Sequence, residues 1–260
     1  MTITVITCTY NAGSEVGTTL ESVLSQTYAD VEHIIIDGCS ADDTLAQVRR
    51  YEQRSASTSP HRVKVLSEPD RGLYDAMNKG IKMAQGTYLV YMNAGDTFAA
   101  PDTLQTVADT AQASPVLPGV VYGDTCVVDA GGRVLGRRRL APPEHLRWTS
   151  FRRGMLVCHQ AFYARTDLAC QCLYDLRYRY SADVDWCIRI MKSAECCRLP
   201  LANAHAVLAH FLDGGMTTAY HRQSLRERFR VMCRHYGVVS TVVMHLWFAL
   251  RAPFIRRRSR

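Results

Sequence analysis

Strand-like and helix-like segments alternate through residues 1–112, and this alternation is the strongest constraint on the fold. Buried parallel strands occur in sequence as short β-branched apolar runs, whereas amphipathic helices repeat apolar residues every three or four positions. The predicted strands are Thr2–Cys8, His33–Asp37, Val63–Leu66 and Thr87–Met92. The predicted helices are Ser14–Thr27, Asp42–Tyr51, Gly72–Ala84 and Asp102–Gln112, with a polar loop at Arg54–Pro60. This order predicts an α/β fold with an open, mostly parallel, twisted sheet and helices on both faces.

The pattern changes after residue 118, where we predict a second half of the same domain at 119–217 and a basic amphipathic tail at 218–260. The run Ala130-Gly131-Gly132 predicts a hairpin turn. Ser181 is the expected N-cap of its helix. The other predicted elements are strands Val120–Val128, Arg133–Leu140, Val157–Ala164 and Ala204–Phe211, helices Ser181–Lys192 and Tyr220–Tyr236, and a loop at Asp213–Gly215.

Polar clusters follow three of the N-terminal strands at their carboxyl ends. They are Thr9-Tyr10-Asn11, Asp37-Gly38-Cys39-Ser40 and Asn93-Ala94-Gly95-Asp96. Open α/β sheets bind ligands at this edge, so the clusters predict a nucleotide-type pocket. The first strand is not followed by G-x-G-x-x-G, and the chain has neither G-x-x-x-x-G-K-[ST] nor G-x-S-x-G. These absences disfavour a Rossmann dehydrogenase, a P-loop NTPase and the commonest hydrolase type.

Two carboxylates at strand ends are candidates for ligand contact. Asp96 could ligate a divalent cation that holds a diphosphate, although the turn-like Asn-Ala-Gly-Asp run also allows a turn-capping role. Asp37 could accept a hydrogen bond from a base or a ribose. Its alternative role is helix capping, for which Ser40, Asp42 and Asp43 are better placed, and this leaves Asp37 for a ligand.

Charge and cysteine content narrow the class of protein and its compartment. The net charge is +7, but it falls to +2 without the five arginines of residues 251–260, so the excess does not indicate a nucleic-acid-binding face. The N-terminus has no signal-peptide pattern, so the ten cysteines are expected to be buried free thiols in a reducing cytoplasm. A zinc cluster of Cys170, Cys172, Cys196 and Cys197 is the weaker alternative, because their spacings lack C-x-x-C pairs.

Four motifs in register give the first hundred residues a resemblance to a known enzyme family. Val5–Asn11 resembles the opening strand of family 2 glycosyltransferases, and Ile36–Thr44 resembles their D-G-x-S-x-D-x-T segment. Glu68–Ile81 and Tyr91–Asp96 are similar to segments of the bacterial polysaccharide-biosynthesis branch, the latter in the place of a D-x-D metal motif. The resemblance implies a GT-A fold and sugar transfer from a nucleotide-sugar donor, which residues 1–118 would bind.

The resemblance also implies roles for individual residues of the donor half. The implied donor-binding residues are Thr9, Tyr10, Asn11, Asp37, Arg71, Asn93 and Asp96. Asp37 would contact the base, and Asp96 would ligate Mn²⁺ or Mg²⁺ at the diphosphate. Many family members have D-x-D-D where this chain keeps only one carboxylate, so metal binding is expected to be weak. Arg71 would neutralise phosphate, or else form a salt bridge with Asp70 or Asp75.

The second half is expected to supply the acceptor side and the catalytic base. Inverting transfer needs a carboxylate that removes the proton of the acceptor hydroxyl. Asp183 resembles the catalytic base of the family, and its place in the first helical turn favours the anion, although Asp185 could exchange roles with it. The expected acceptor-side residues are His159, Gln160, Asp185 and Trp186. His159 could instead be a core residue.

These observations predict an inverting, metal-assisted glycosyltransferase of the hexosyltransferase type. The donor would be a nucleotide-diphosphate sugar, UDP-linked by preference, and the acceptor a lipid-linked or polysaccharide glycan of a bacterial surface. A catalytically weak scaffold that binds a nucleotide or a partner protein is the alternative. The apolar run Val238–Leu250, followed by arginines, predicts either peripheral contact with the inner face of the cytoplasmic membrane or packing on protein.

Overall fold

The computed structural model describes residues 1–213 and 220–256, and it confirms the predicted alternation of strands and helices. The strands are β1 (Ile3–Thr9), β2 (Val31–Asp37), β3 (Arg62–Ser67), β4 (Tyr88–Tyr91), β5 (Thr97–Phe98), β6 (Val120–Val128), β7 (Val134–Arg137), β8 (Phe162–Arg165) and β9 (Leu201–Leu212). The α-helices are α1 (Val16–Leu24), α2 (Thr44–Thr58), α3 (Leu73–Met83), α4 (Thr103–Gln112), α5 (Thr166–Cys170), α6 (Ala182–Cys196), α7 (His221–Tyr236) and α8 (Val238–Arg256). Two short 3-10 helices span Trp148–Arg153 and His159–Ala161.

Nine strands of the described part form one sheet in the order β3-β2-β1-β4-β8-β6-β9-β5, and β7 pairs with β6. The β3-β2-β1-β4 portion is entirely parallel, and Thr9 at the end of β1 lies opposite Asp37 at the end of β2. Beyond β4, the sheet mixes antiparallel pairs with a long parallel pairing of β6 and β9. The fold is therefore the predicted mostly parallel α/β sheet, and its parallel part brings the polar strand ends to one edge.

Helices cover both faces of this sheet, as the apolar pattern predicts. Successive residues of a strand point to opposite faces. Ile34 and Ile36 of β2 belong to the main core together with Met77 of α3, whereas Ile35 packs with Val16 of α1 and with α2.

Two local predictions are wrong, each because a tertiary contact overrides the local sequence. The polar segment predicted as a loop at Arg54–Pro60 continues α2 as far as Thr58, because Ser55 extends the buried stripe of that helix. His159 and Gln160 do not lie on a strand but in a 3-10 helix that precedes β8. Ser181 is the N-cap residue of α6, as predicted, but its hydroxyl donates to the carbonyl of Ser224, 3.1 Å away, rather than to the backbone of α6.

The ten cysteines are all free thiols in the structure, but not all of them are buried. Cys39, Cys170, Cys196 and Cys197 are exposed, so the expectation of uniformly buried thiols is wrong. Among the described residues, no group of three or more His, Cys, Asp or Glu side chains is arranged to hold a metal ion.

The C-terminal helices α7 and α8 form a hairpin turned at Gly237. No helix in the described ranges is long and apolar enough to cross a bilayer. The loop predicted at Asp213–Gly215 falls partly outside the described residues, because the description stops at residue 213 and resumes at 220.

Candidate active site

The loop after β1 is held to the loop after β2 by Asn11. Asn11 adopts a left-handed backbone conformation with φ of 47°, which asparagine tolerates because its short side chain can bond locally. The side-chain Oδ1 of Asn11 accepts a hydrogen bond from the backbone amide of Ala41 at 2.8 Å, and the backbone amide of Asn11 donates to the Ser40 hydroxyl at 2.9 Å. Asn11 thus braces the edge of the sheet where the strands end.

Asp37 is completely buried beneath this pair of loops. Its carboxylate accepts hydrogen bonds from the amide and the hydroxyl of Ser40 and from the hydroxyl of Ser67. We expected Ser40, Asp42 and Asp43 to take the helix-capping role and to leave Asp37 for a ligand; for Ser40 this is wrong, because its amide and hydroxyl donate to Asp37 itself. In this structure the Asp37 carboxylate fixes the loop that would face a nucleotide base.

Tyr10, Gly38 and Asp70 come together above Asp37. A Cβ atom added at Gly38 would lie 2.6 Å from Asp70 Oδ2 and 3.2 Å from the Tyr10 ring, so glycine is needed for this close approach. Tyr10 is 65% exposed and offers its ring to a planar ligand. The sequence allowed either Asp70 or Asp75 as the salt-bridge partner of Arg71. The structure shows Asp75 in this role, with its carboxylate 3.1 Å from the highly exposed guanidinium of Arg71.

Thr9 and Asn93 lie at the same edge. The buried Thr9 hydroxyl oxygen and Asn93 Oδ1 have no hydrogen-bond partner among the residues that the structure describes. Buried polar atoms are normally hydrogen-bonded, so atoms left unpaired in a cleft are candidates for ligand contact.

Asp96 is almost completely buried and lies at the end of the Asn93–Asp96 turn. Burial raises the pKa of its carboxyl group to about 6, against the opposing effects of a hydrogen bond from Gln160 and the nearby His159. Gln160 Nε2 donates to Asp96 Oδ2 at 3.0 Å, while the buried Gln160 Oε1 has no hydrogen-bond partner in the described part of the chain. The 3-10 helix therefore brings Gln160 to the donor edge rather than to a separate acceptor surface.

The residues around Asp96 fit a hard divalent cation. Mn²⁺ and Mg²⁺ prefer oxygen ligands from carboxylates, amides and water. The Asp96 carboxylate and the unpartnered amide oxygens of Asn93 and Gln160 form such a donor set. With one carboxylate among three oxygens, the set is less charged than a D-x-D-D motif.

Asp183 in the first turn of α6 is partly exposed and contacts groups from two other segments. His159 Nδ1 faces Asp183 Oδ2 at 3.7 Å, and the Tyr74 hydroxyl of α3 donates to Asp183 Oδ1 at 3.3 Å. Burial alone would raise the pKa of Asp183, but the contact with His159 and the positive charge of Arg228 outweigh it and lower the pKa. The carboxylate is thus ionised at neutral pH, as a general base must be.

His159 connects the carboxylate of Asp183 with the donor edge. Asn93 Nδ2 lies 3.3 Å from His159 Nε2, within hydrogen-bond distance, and the other ring nitrogen, Nδ1, faces Asp183. Because Asn93 belongs to the turn that ends in Asp96, the cation-ligand candidates and the base candidate form one continuous polar cluster. Tyr74 belongs to this cluster and was missed by our sequence analysis, although its place in the Glu68–Ile81 motif could have indicated it.

Two of the predicted acceptor-side residues lie elsewhere. Asp185 is fully buried on the far side of α6, where Arg189 Nε at 2.6 Å and His235 Nε2 at 2.8 Å hold its carboxylate. Trp186 is also fully buried and packs against Tyr91 and Tyr174 in the core. Neither side chain has a surface available to an acceptor in this structure, so their placement on the acceptor side is wrong.

The GT-A-like sheet, the loops at its carboxyl edge and the adjoining carboxylate cluster define a glycosyltransferase. The family model "Glycosyl transferase family 2" matches residues 4–170. The chain belongs to this family, which confirms the family resemblance of its motifs.

Known relatives and solved structures agree with this assignment. A "PGL/p-HBAD biosynthesis glycosyltransferase" of Mycobacterium bovis is 31% identical over 243 residues, which cover 92% of this chain and 88% of the relative. The S. aureus TarS 1–349 structure in complex with UDP-GlcNAc matches with a TM-score of 0.68 at 14% identity, covering 94% of this chain and 70% of TarS. The mannosyltransferase PcManGT of Pyrobaculum calidifontis, in complex with GDP-Man and Mn²⁺, matches with a TM-score of 0.61 at 17% identity, covering 96% and 75% of the two chains. The two structures show the shared fold.

Proposed function

We propose that this glycosyltransferase moves a sugar from a nucleotide-diphosphate donor, UDP-linked by preference, to a hydroxyl of a bacterial surface glycan, with inversion at the anomeric carbon. The acceptor is a lipid-linked or polysaccharide glycan, and a lipid-linked one would be met at the inner face of the cytoplasmic membrane. The observation that carries the proposal is the single polar cluster in which His159 joins the ionised Asp183 to the donor-edge residue Asn93. The relative named for PGL/p-HBAD biosynthesis and the structure of similar fold that was solved with UDP-GlcNAc support the choice of substrates.

Asp183 acts as the general base in this proposal. Its carboxylate takes the proton of the acceptor hydroxyl while the acceptor oxygen forms a bond to the anomeric carbon. The bond from that carbon to the diphosphate oxygen breaks at the same time, and the nucleoside diphosphate leaves with the electron pair. Attack opposite the leaving group inverts the configuration.

His159 is a positioning residue for Asp183 in the same proposal. Its Nδ1 faces the carboxylate of Asp183, where the contact lowers the pKa of that carboxyl group, and its Nε2 is held by Asn93. Tyr74 restrains the other carboxylate oxygen. The remaining donor contacts are assigned to Thr9, Tyr10 and Arg71, while Asn11 and Asp37 shape the base-binding loop.

A divalent cation would be held by Asp96 with the amide oxygens of Asn93 and Gln160. When bound, it would supply positive charge for the departing diphosphate. Since only one of these ligands is a carboxylate, we expect Mn²⁺ or Mg²⁺ to bind weakly in the absence of the nucleotide.

The test is to replace Asp183 by asparagine and measure donor binding and turnover separately. Thermal stabilisation against a panel of nucleotide sugars, with Mn²⁺ and then with chelator, identifies the donor, because a ligand of the native state raises the apparent stability. With that donor, Asp183→Asn should lower kcat by about 10²-fold or more while leaving donor affinity nearly unchanged. Asp167→Asn is the matched control, since this carboxylate is exposed and its ion pair in the described part of the chain is with Arg165.

Two results would contradict the proposal. Turnover of Asp183→Asn within about tenfold of the wild-type rate would remove Asp183 as the base. A product with the anomeric configuration of the donor, determined by NMR, would exclude direct inversion. Loss of donor stabilisation with chelator would support a cation at Asp96, whereas stabilisation that survives the chelator would remove the cation from donor binding.

A further inference from the structure

Helix α8 presents a stripe of apolar side chains to solvent. We define the α8 stripe as Val239, Val242, Val243 and Leu246, whose exposed fractions are 79%, 40%, 58% and 60%. Their spacing of three and four residues puts them on one side of the helix. No Asp, Glu, Lys or Arg occurs between residues 238 and 250. Contiguous exposed apolar surface of this kind marks an interaction site rather than ordinary protein surface.

The opposite side of α8 fixes the direction of the stripe. Thr241 is almost completely buried, and the His245 ring packs edge-on against Phe229 of α7 with the ring centroids 5.1 Å apart. The helix also contacts the 3-10 helix Trp148–Arg153. These contacts bind one side of α8 to the protein and leave the stripe facing outward.

The charge of the surrounding sequence indicates what the stripe meets. Glu227 is the last acidic residue of the chain, and residues 228–260 contain eight arginines and no carboxylate side chain. An apolar helix face next to such a segment complements an anionic lipid surface, where acyl chains take up the apolar groups and headgroups meet the arginines. A second copy of the chain is a poorer partner, because it would bring two acid-free, arginine-rich segments together.

We propose that the α8 stripe docks this glycosyltransferase on the surface of a bilayer that contains anionic phospholipids. The helix lies in the interface rather than across the bilayer, in keeping with its apolar length and its protein-facing side. The adjoining helix α7 carries Glu227, which accepts hydrogen bonds from the backbone just before α6. Docking through α8 would therefore hold Asp183 at a defined position relative to the membrane, as a lipid-linked acceptor requires. The docking itself does not depend on the proposed sugar transfer.

The test is sedimentation of the full-length protein with two kinds of vesicle, phosphatidylcholine alone and phosphatidylcholine mixed with phosphatidylglycerol. We expect the wild-type protein to bind the mixed vesicles and to lose most of this binding in high salt. The double variant Val243→Asp with Leu246→Asp should reduce the partition coefficient by about tenfold or more. The matched control is Val134→Asp with Leu135→Asp, which changes two exposed apolar side chains of β7.

Far-UV circular dichroism and the donor-induced thermal shift establish that each variant is folded, so failure of vesicle binding is distinct from failure of sugar transfer. A second variant, with Arg256, Arg257 and Arg258 changed to glutamine, leaves the stripe intact and should weaken binding to the anionic vesicles alone. Wild-type protein that stays in solution with both vesicles would overturn the proposal, as would unchanged binding of the stripe variant. A dimer in sedimentation velocity that the stripe variant dissociates, without vesicle binding, would assign the stripe to a second copy instead.

Discussion

Glu227 is predicted to anchor the start of α6, which carries the proposed base Asp183, and its removal should destabilise the protein measurably. Its carboxylate accepts three backbone hydrogen bonds, from Arg179 at 2.9 Å, from Tyr180 at 2.7 Å and from Ser181 at 3.1 Å. A hydrogen bond to a charged group contributes about 1.5–3 kcal/mol. The exposed Arg179 amide can bond to water after truncation, but the Ser181 backbone is buried and loses its acceptor. We therefore expect Glu227→Ala to cost about 2–4 kcal/mol.

This cost corresponds to a decrease in Tm of about 4–7 °C for a chain of this size, measured by circular dichroism. Because Ser181 immediately precedes α6, kcat should also fall, whereas donor affinity should change little. Glu52→Ala on α2 is the control, since that side chain pairs with Arg49 on the surface and should change stability by less than about 1 kcal/mol. If Glu227→Ala and Glu52→Ala lower the Tm equally, the three hydrogen bonds do not anchor α6 and the reasoning is refuted.

Three further predictions follow from other contacts. Gly80→Ala should destabilise the protein by about 1–3 kcal/mol in urea denaturation, because the new Cβ would lie 2.5 Å from Ile6 Cγ2 in the core. Its control is Gly17→Ala, where the new Cβ meets only the flexible end of Gln47, and this variant should be as stable as the wild-type protein or more stable. Asp185→Asn should cost about 3 kcal/mol or more in the same assay, since it removes the buried carboxylate that pairs with Arg189 and lies 2.8 Å from His235 Nε2. Asp96→Asn should stabilise the metal-free protein by up to about 3 kcal/mol at pH 7.5, because burial raises the pKa of Asp96 to about 6 and its ionisation opposes folding. That gain should diminish as the pH falls from 6 to 4 and vanish below both pKa values, so a gain that persists at pH 3.5 would contradict this origin.

Most of the fold was predictable because its signals are local. The β-branched runs and the helical spacing of the first half predict four strands of a mostly parallel sheet with helices between them, and the motifs at the strand ends indicate the family. The errors occur where long-range contacts decide the local structure. Ser55 remains helical because it faces the buried side of α2, and His159 lies in a 3-10 helix because the chain turns there to enter β8.

The sequence predicted most of the residues that form the candidate site, but not which of them contact one another. The strand ends, Asp96 and Asp183 are recognisable from their motifs. The contacts of Gln160 with Asp96 and of Tyr74 with Asp183 join residues 64 and 109 positions apart in the chain. The apolar periodicity of the sequence cannot predict such pairs, since they form only when separate helices and strands pack together.

Asp183 and Asp185 show which properties of the site follow from the sequence and which depend on tertiary packing. The sequence alone determined that two carboxylates stand in the first turn of a helix, about 200° apart around its axis. It could not determine which one is available for chemistry, because the two are chemically identical. The packing of α6 decided this: α7 and Arg189 hold Asp185 in the interior, while α3 and the 3-10 helix bring Tyr74 and His159 to Asp183 at the edge of the sheet. The physical reason is that neighbouring elements surround each side of a helix differently, and those neighbours come from distant parts of the chain.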